Sequence, residues 1–161
     1  MKLKVNSSIP DAKIYILKDG DPREQSIIET LGNSKVLLFG LPGAYTSTCS
    51  KLHLPGYVKN AEKLKAKGIN KIFCISVNDP HVMNAWGEAN HVGKNIIMLA
   101  DPYLSFTKLI GAEIDRNSKG MGIRSSRYAM IIENLKVQNI QEEEETKSCG
   151  VSSAELILDI I

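Results

Sequence analysis

Cys49 lies in a stretch of sequence whose residue types and order could prepare a nucleophile. Before it comes Val36–Leu41, an unbroken apolar run with the length of a strand, which stops at Pro42 and Gly43. A short loop of small and hydroxyl residues follows, and its N-cap residue types predict a helix start within a residue or two of the cysteine. The dipole and the unpaired N–H groups of a first helical turn both favour a thiolate over a thiol.

The alternative for this cysteine is a small buried hydrophobe, which most single cysteines of intracellular proteins are. The polar neighbours of Cys49 and its place at a strand-to-helix junction argue against burial in the core. Cys74 lies inside a second apolar run, and we expect it to be buried rather than reactive. The sequence therefore indicates Cys49 as the cysteine that could do chemistry.

The length and composition are typical of an ordinary soluble globular protein. A chain of 161 residues predicts one domain over 1–161, and 43% hydrophobic with 24% charged residues fits that class. A net charge of +2 is too small to indicate a nucleic-acid or membrane-surface partner, and no apolar run approaches the roughly 18 residues that a membrane span needs. The first residues lack the apolar core of a signal peptide and the arginines of a transit peptide, so we expect a cytoplasmic protein.

The cysteines and histidines indicate neither a disulfide framework nor a metal site. Cys49, Cys74 and Cys149 are too few and too scattered for such a framework, and no two of them form a Cys-x-x-Cys pair. The three histidines lie at no recognised zinc spacing. We therefore expect no metal and no other cofactor.

Apolar periodicity divides the chain into alternating strands and helices. Strands are predicted over 14–17, 36–41, 69–77, 95–100, 127–133 and 135–140, the last two as a hairpin. Helices are predicted over 23–31, 50–67, 80–91, 103–110 and 151–161, with a kink or break at Pro55 and Gly56. The ranges 114–124 and 142–145 are predicted to be a long loop and a solvated acidic run. This order predicts an α/β protein with a central mixed sheet flanked by helices, similar to the thioredoxin fold.

Segments along the whole chain carry a likeness to a known family. They are PGAYTSTC, which ends at Cys49, the SKLHLPGY that follows it, CISVNDPHVMNAWG, RSSRYAMIIE and the C-terminal VSSAELIL. Together they resemble the type-II group of peroxiredoxins, which includes the animal fifth peroxiredoxin and its plant and bacterial relatives. Ser47 is a departure, because the group more often has proline there, and we expect it to loosen the loop slightly.

The resemblance implies a thiol-specific peroxidase that reduces hydrogen peroxide and organic hydroperoxides and serves antioxidant defence and redox homeostasis. By position it makes Cys49 the peroxidatic cysteine, which becomes a sulfenic acid, with Thr46 and Pro42 as the motif threonine and proline. It makes Arg127 the arginine that precedes the tyrosine of the RY strand. His53 matches a histidine that often lies beside the active site, and we give it a minor role at most.

Each of these residues has a physical reason to be there. Arg127 should favour the thiolate and donate hydrogen bonds to the peroxide oxygens, on which negative charge develops. The Thr46 hydroxyl should accept from the peroxide or from the arginine and donate to the sulfur. Pro42, which has no N–H donor, should shield the sulfur from water.

The reduction of the sulfenic acid is left open by the sequence. We favour a one-cysteine cycle in which an outside thiol, glutathione with glutaredoxin or else thioredoxin, attacks the oxidised Cys49. The rival is a Cys49–Cys149 disulfide reduced by thioredoxin, because Cys149 lies near the place where animal members keep a resolving cysteine. Cys74 matches a second cysteine of plant-like members. The resemblance also implies a homodimer that forms through a face near the active-site loops.

Other functions fit the residues less well. A thioredoxin-like reductase needs a second cysteine three residues after the first, and that position is Leu52. A cysteine hydrolase could pair Cys49 with His53, but such enzymes usually draw their base from a distant segment and need an oxyanion hole. A redox sensor or binding module without catalysis is a further alternative on the same scaffold.

Overall fold

The computed structural model describes residues 1–161. Its strands are β1 (Lys13–Lys18), β2 (Asp21–Ser26), β3 (Val36–Leu41), β4 (Lys71–Ser76), β5 (Ile96–Ala100), β6 (Glu113–Asp115), β7 (Ile123–Ser125), β8 (Tyr128–Glu133) and β9 (Lys136–Glu142). Its α-helices are α1 (Ile27–Leu31), α2 (Leu54–Ala66), α3 (Pro80–Ala89), α4 (Ser105–Leu109) and α5 (Ala154–Ile160). A π-helical turn, Cys49–His53, precedes α2, and a 3₁₀ turn covers Asn117–Lys119.

A seven-stranded mixed sheet in the order β2-β1-β5-β4-β3-β8-β9 forms the centre of the fold. Strands β3, β4 and β5 run parallel, while β1 and β8 run antiparallel to their neighbours. The predicted α/β class with a central mixed sheet flanked by helices is confirmed. Since β8 runs against β3, the start of β8 lies beside the end of β3, which brings Arg127 next to the loop that carries Cys49.

The pairing of β3 with β8 depends on a glycine. Gly40 pairs with Tyr128, and a Cβ added at Gly40 would overlap the tyrosine ring. The ring of Tyr128 is completely buried against this strand. Glycine therefore permits the close approach that sets β8, and with it Arg127, in register.

Apolar side chains on both faces of the sheet form two cores. Along β3, Leu37, Phe39 and Leu41 belong to the core under α2, α3 and α5, while Val36 and Leu38 belong to the opposite core. This alternation is the two-residue period of a strand, and it explains why a strand covered on both faces reads as one unbroken apolar run. The predicted burial of Cys74 in β4 is confirmed.

The predicted helix over 23–31 is wrong in its first half. The range Asp21–Ser26 forms β2 and pairs with β1, and α1 covers only Ile27–Leu31. The residues of β2 include good helix formers, but Asp19 and Gly20, with φ of 51° and 81°, make the two-residue turn of a hairpin. Pairing with β1 thus overrides the local helix propensity.

The predicted loop over 114–124 is also wrong, because it contains two short strands. Strands β6 and β7 pair antiparallel, and the 3₁₀ turn Asn117–Lys119 joins them. Gly120 and Gly122, both with φ of 68°, let the chain reverse within this short span. Strands of three residues are too short to leave a periodic apolar pattern in the sequence.

The predicted break at Pro55 and Gly56 is wrong, because the irregularity lies one turn earlier. Pro55 lies in the first turn of α2, where N–H groups have no acceptor within the helix, so a proline there does not break it. The π-helical turn Cys49–His53 comes directly before α2. The other predicted elements are confirmed with ends shifted by a few residues, including the β8–β9 hairpin and the C-terminal helix. No helix combines the length and the apolar character that crossing a membrane requires.

Candidate active site

Cys49 opens the π-helical turn that follows the loop after β3. Helical backbone begins at Ser47, as predicted, and the Leu54 N–H donates to the Cys49 carbonyl. Such π turns are frequent at functional sites. The thiol is completely buried, so the prediction that polar neighbours keep it out of the core is wrong. The physical reason is that the turn continues directly into α2 and places Cys49 in the same core as Leu54.

The side chain of Arg127 joins the segments of this site. Its Nη2 donates to Sγ of Cys49 at 3.1 Å, and its Nη1 donates to Nδ1 of His53 at 2.8 Å. Its Nε and Nη2 donate to the Thr146 carbonyl at 3.3 and 3.0 Å. Sequence reasoning predicted that Arg127 would act on Cys49, and the structure brings these two side chains together.

Arg127 is a buried cation without a carboxylate partner. The side chain is 1% exposed, and none of the ion pairs of the chain includes it. A buried charge is costly unless an opposite charge or several hydrogen bonds compensate it. Because the acceptors around the guanidinium are a carbonyl, an imidazole and a sulfur, the Cys49 thiolate is the one group among them that can supply negative charge.

His53 is held as a neutral ring that accepts from Arg127. Its Nε2 lies 3.1 Å from the Ser152 carbonyl, which can only accept, so the proton is on Nε2 and Nδ1 is free to accept. Burial, with the charge of Arg127 as the next cause, lowers the pKa of His53 to about 3. The ring therefore cannot exchange a proton near neutral pH, and its contact is with the arginine rather than with the sulfur.

A buried carboxylate, which the sequence gave no reason to expect, fixes the segment opposite Cys49. Glu143 Oε1 accepts from Gly150 N at 2.7 Å and from N and Oγ of Ser152, both at 2.8 Å. The Glu143 N–H donates to the Arg127 carbonyl at 2.9 Å. The prediction that 142–145 is a solvated acidic run is thus wrong for Glu143, because backbone and hydroxyl donors of the following loop converge on its carboxylate.

Aromatic rings pack around the carbonyl that orients His53. Tyr57 Oη donates to the Ser152 carbonyl at 2.7 Å, and the Tyr57 ring stacks on Phe39 at 4.0 Å between centroids. The His53 ring meets both aromatic rings edge-on. The imidazole is therefore fixed by hydrogen bonds at both nitrogens and by edge-to-face contacts with Phe39 and Tyr57.

A small cavity of about 150 Å³ opens beside this cluster. Its lining includes Pro42, Thr46, Arg116, Arg127 and Lys147. Since a cavity needs about 10–15 Å³ of such space to hold one water molecule, this one has room for a peroxide group. Arg127 reaches both this cavity and the Cys49 sulfur, so it connects the place where a substrate fits to the thiol.

Thr46 and Pro42 lie at the cavity, but the threonine is not bonded as predicted. Its hydroxyl donates to the Gly43 carbonyl at 2.8 Å and not to the Cys49 sulfur. The reason is local, since the hydroxyl closes its own turn at the start of the helix. The oxygen keeps lone pairs that can accept from a peroxide, and the buried Pro42 forms part of the cavity wall.

Comparison with known proteins decides the family. The redoxin family model matches residues 4–158. The chain is 43% identical to peroxiredoxin-2D of Arabidopsis thaliana over 157 residues, which cover 97% of this chain and 96% of the relative. It is 44% identical to reduced Prx3 of Vibrio vulnificus, solved in complex with H2O2, with a TM-score of 0.92 and 98% of each chain covered.

The chain belongs to the peroxiredoxins. Peroxiredoxin-2C of Oryza sativa subsp. japonica, 43% identical over 96% of this chain and 95% of its own, places it in the type-II group. This peroxiredoxin is accordingly a thiol peroxidase, an antioxidant oxidoreductase that acts on peroxide. The predicted family, thioredoxin-like fold and enzyme class are confirmed.

The other two cysteines of this peroxiredoxin have surroundings that suppress a thiolate. Burial raises the pKa of Cys74 well above its ordinary value. Burial also raises the pKa of Cys149 to about 11, although Arg127 acts in the opposite direction. All three cysteines carry free thiols, and no group of three or more His, Cys, Asp or Glu side chains is placed to hold a metal ion.

Proposed function

We propose that Cys49 is the residue at which this peroxiredoxin reduces peroxide. The observation that carries the proposal is the 3.1 Å hydrogen bond from Arg127 Nη2 to Cys49 Sγ, made in a buried site with no carboxylate bound to the arginine. The thiolate attacks one peroxide oxygen, the O–O bond breaks, and its electron pair leaves on the second oxygen. That oxygen takes up a proton, so the products are Cys49 sulfenic acid and water or an alcohol.

We propose supporting roles for the residues around the sulfur. Arg127 stabilises the negative charge that is shared by sulfur and the two oxygens, and its donors need no reorganisation because Thr146 and His53 hold the guanidinium. Thr46 accepts a hydrogen bond from the peroxide proton, and Pro42 limits access of water to the sulfur. His53 positions Arg127.

The direct test of Cys49 is peroxide consumption in the presence of a thiol reductant. Cys49→Ser should abolish turnover of hydrogen peroxide, because serine cannot form a sulfenic acid. Cys74→Ser, the same change at a buried cysteine of β4, should retain most of the turnover. Peroxidase activity that survives in a folded Cys49→Ser protein would refute the assignment.

For the second half-reaction we propose a one-cysteine cycle. An outside thiol R′SH attacks the sulfenic acid to give the mixed disulfide Cys49–S–S–R′ and water, and a second thiol R″SH then releases Cys49 as thiol with formation of R′–S–S–R″. Two features support this route over a Cys49–Cys149 disulfide. The raised pKa of Cys149 leaves it a thiol at neutral pH. The segment that carries Cys149 is also held in place, because N–H groups of Gly150 and Ser152 donate to the Glu143 carboxylate.

The proposed reductants are glutathione with glutaredoxin, or else thioredoxin. Since Cys49 is completely buried, either reductant needs local opening of the π-helical turn or of the segment over 143–152. Turnover assays with each purified reductant system would distinguish them, because the preferred system should sustain peroxide consumption at micromolar concentration.

We propose that the protein forms a homodimer and acts in the cytoplasm. Tyr45 and Tyr103 are 60% and 73% exposed, and a hydrogen bond from Ala44 N to Asn78 Oδ1 links the Tyr45 loop to the start of α3. Tyrosine is enriched at protein interfaces relative to the rest of the surface. Sedimentation should show twice 17.7 kDa for the wild type and a shift toward monomer for Tyr103→Asp.

Three free thiols suit a reducing compartment, and cell fractionation tests the proposed cytoplasmic location.

A further inference from the structure

Arg116 is an arginine beside the active-site cavity that has no partner. Its Nε is buried and makes no hydrogen bond, and the side chain takes part in none of the ion pairs of the chain. The side chain lines the same cavity as Arg127. A buried donor without an acceptor carries a cost, which a ligand that accepts from it would remove.

The neighbouring arginines show the contrast. Arg124 donates from Nε to the Met121 carbonyl at 2.7 Å and from Nη1 to the Val77 carbonyl at 2.9 Å. Arg127 is likewise bonded by carbonyl, imidazole and sulfur. The side chains of Arg124 and Arg127 are thus hydrogen-bonded within the protein, whereas Arg116 lines the cavity without a side-chain hydrogen bond.

The backbone of Arg116 is fixed, so its side chain projects from a defined place. The Arg116 N–H donates to the Gly122 carbonyl at 2.9 Å, and its carbonyl accepts from Lys119 N at 3.0 Å and Met121 N at 3.2 Å. These bonds close the turn between β6 and β7. The hairpin backbone therefore holds the Cα atom of Arg116 at a fixed place beside the cavity.

We propose that Arg116, with Lys147 beside it, forms a subsite for a carboxylate carried by a reactant that approaches Cys49. Both cations line the cavity next to Arg127, and the planar fork of an arginine matches a carboxylate in two parallel hydrogen bonds. Arg116 and Lys147 also line a second groove, which they share with Asp115, Glu144 and Glu145. These three carboxylates disfavour an anion in that groove, so we place the bound carboxylate in the cavity beside Arg127.

The carboxylate could belong to an organic hydroperoxide or to the reducing thiol. Both reactants have to reach the same sulfur, and the subsite rests on the proposed role of Cys49 for its effect on rate. Hydrogen peroxide has no carboxylate, so its reaction serves as the internal reference. In this account Arg116 is a specificity-determining residue, while Arg127 serves every peroxide.

The test compares Arg116→Gln with Arg23→Gln, which removes the same charge from β2 at the far edge of the sheet. The single tryptophan, Trp86, donates to Ser50 Oγ at 3.0 Å next to Cys49 and provides a fluorescence signal for single-turnover mixing. One arm uses a carboxylate-bearing hydroperoxide and its methyl ester. The other follows reduction of the oxidised protein by 3-mercaptopropionate and by 2-mercaptoethanol.

Arg116→Gln should lower the rate ratio of the charged to the neutral reagent by about tenfold in one arm, and that arm identifies the source of the carboxylate. Each rate is divided by the same protein's own rate with hydrogen peroxide, and Arg23→Gln should keep both this ratio and the hydrogen peroxide rate within about twofold of the wild type. Lys147→Gln should give a smaller loss, because Lys147 is exposed. Unchanged ratios in both arms, or an equal fall for charged and neutral reagents, would overturn the proposal.

Binding without chemistry separates this proposal from the role of Cys49. In Cys49→Ser, titration with 3-hydroxypropionate should change the Trp86 fluorescence, and Arg116→Gln added to that variant should remove the change. A wild type that fails to react with hydrogen peroxide would refute the role of Cys49 as the reacting residue. That result would leave the carboxylate subsite untouched. Failure of the carboxylate to bind in Cys49→Ser would count against the subsite.

Discussion

Nη1 of Arg127 donates a hydrogen bond to Nδ1 of His53 at 2.8 Å, across 74 positions of sequence. The imidazole can accept only because its single proton lies on Nε2, which donates to the Ser152 carbonyl. The ring is therefore a rigid acceptor that orients the guanidinium toward the sulfur. This bond gives His53 a structural reason to be next to the active site without any part in proton transfer.

The buried neutral state of His53 predicts a pH dependence of stability. Its folded pKa of about 3 lies below the unfolded value of about 6.5, so between these values the unfolded chain binds a proton that the folded protein does not. The contribution is present above about pH 6.5, and it falls by up to about 1.4 kcal/mol per pH unit as the pH drops toward 3. Urea unfolding of the wild type and His53→Gln at pH 7.0, 5.5 and 4.5 checks this.

The free energies of unfolding of the two proteins should converge as the pH falls, because glutamine does not titrate. Carboxylates that titrate in the same range are common to both proteins and cancel in the comparison. His81→Gln, which changes an exposed histidine, is the matched control for the substitution itself. A constant difference between the wild type and His53→Gln across this range would contradict the neutral buried ring.

Glu143→Gln should destabilise the protein and slow the reaction with peroxide. The carboxylate oxygen accepts three hydrogen bonds from Gly150 and Ser152, and a neutral amide oxygen accepts more weakly. We expect a loss of about 1–3 kcal/mol in the free energy of unfolding. Denaturant unfolding measures it, with Glu144→Gln as the matched control, because Glu144 is the exposed neighbour.

Glu144→Gln should change stability by less than about 0.5 kcal/mol. Equal effects of the two substitutions would mean that the burial of Glu143 has no energetic consequence.

Intact-mass analysis after one equivalent of hydrogen peroxide distinguishes the two reductive cycles. In the proposed cycle the wild type gains one oxygen, about 16 mass units, or one glutathione when that thiol is present, and Cys149→Ser gives the same result. A loss of about two mass units in the wild type that disappears in Cys149→Ser would show a Cys49–Cys149 disulfide. That outcome would replace the one-cysteine cycle.

Much of the site could be predicted because its parts leave local signals. The apolar run of β3, the residues Pro42 and Gly43 and the hydroxyl-rich loop place Cys49 at a strand-to-helix junction, and the run of β8 places Arg127 just before a strand. Both signals depend on neighbours in sequence. Their meeting at 3.1 Å follows from the antiparallel pairing of β3 with β8. Before the structure, only the resemblance to peroxiredoxins pointed to Arg127 as a partner of Cys49.

The rest of the site depends on long-range contacts that leave no local signal. Glu143 lies in an acidic run, and such a run predicts a solvated segment. Its hydrogen-bond donors, which include N and Oγ of Ser152, are brought to it only by the fold of the following loop. The burial of Cys49 follows from its place in one core with residues of α2 and α5, such as Leu54 and Ile157, and not from the polar residues beside it in sequence. Arg116 likewise reaches the cavity only because β6 and β7 form a hairpin within what reads as a loop.

The central claim, that Arg127 supplies the charge and the donors for the Cys49 thiolate, is tested most directly by single-turnover oxidation with hydrogen peroxide at pH 7. Arg127→Ala should slow this step by about a hundredfold or more, since one preorganised donor is commonly worth that much. Arg127→Lys keeps the positive charge but loses the planar pair of N–H donors. Its oxidation rate should lie between those of Arg127→Ala and the wild type. Circular dichroism should first establish that both variants are folded. A folded Arg127→Ala protein whose oxidation rate stays within about threefold of the wild type would contradict the claim.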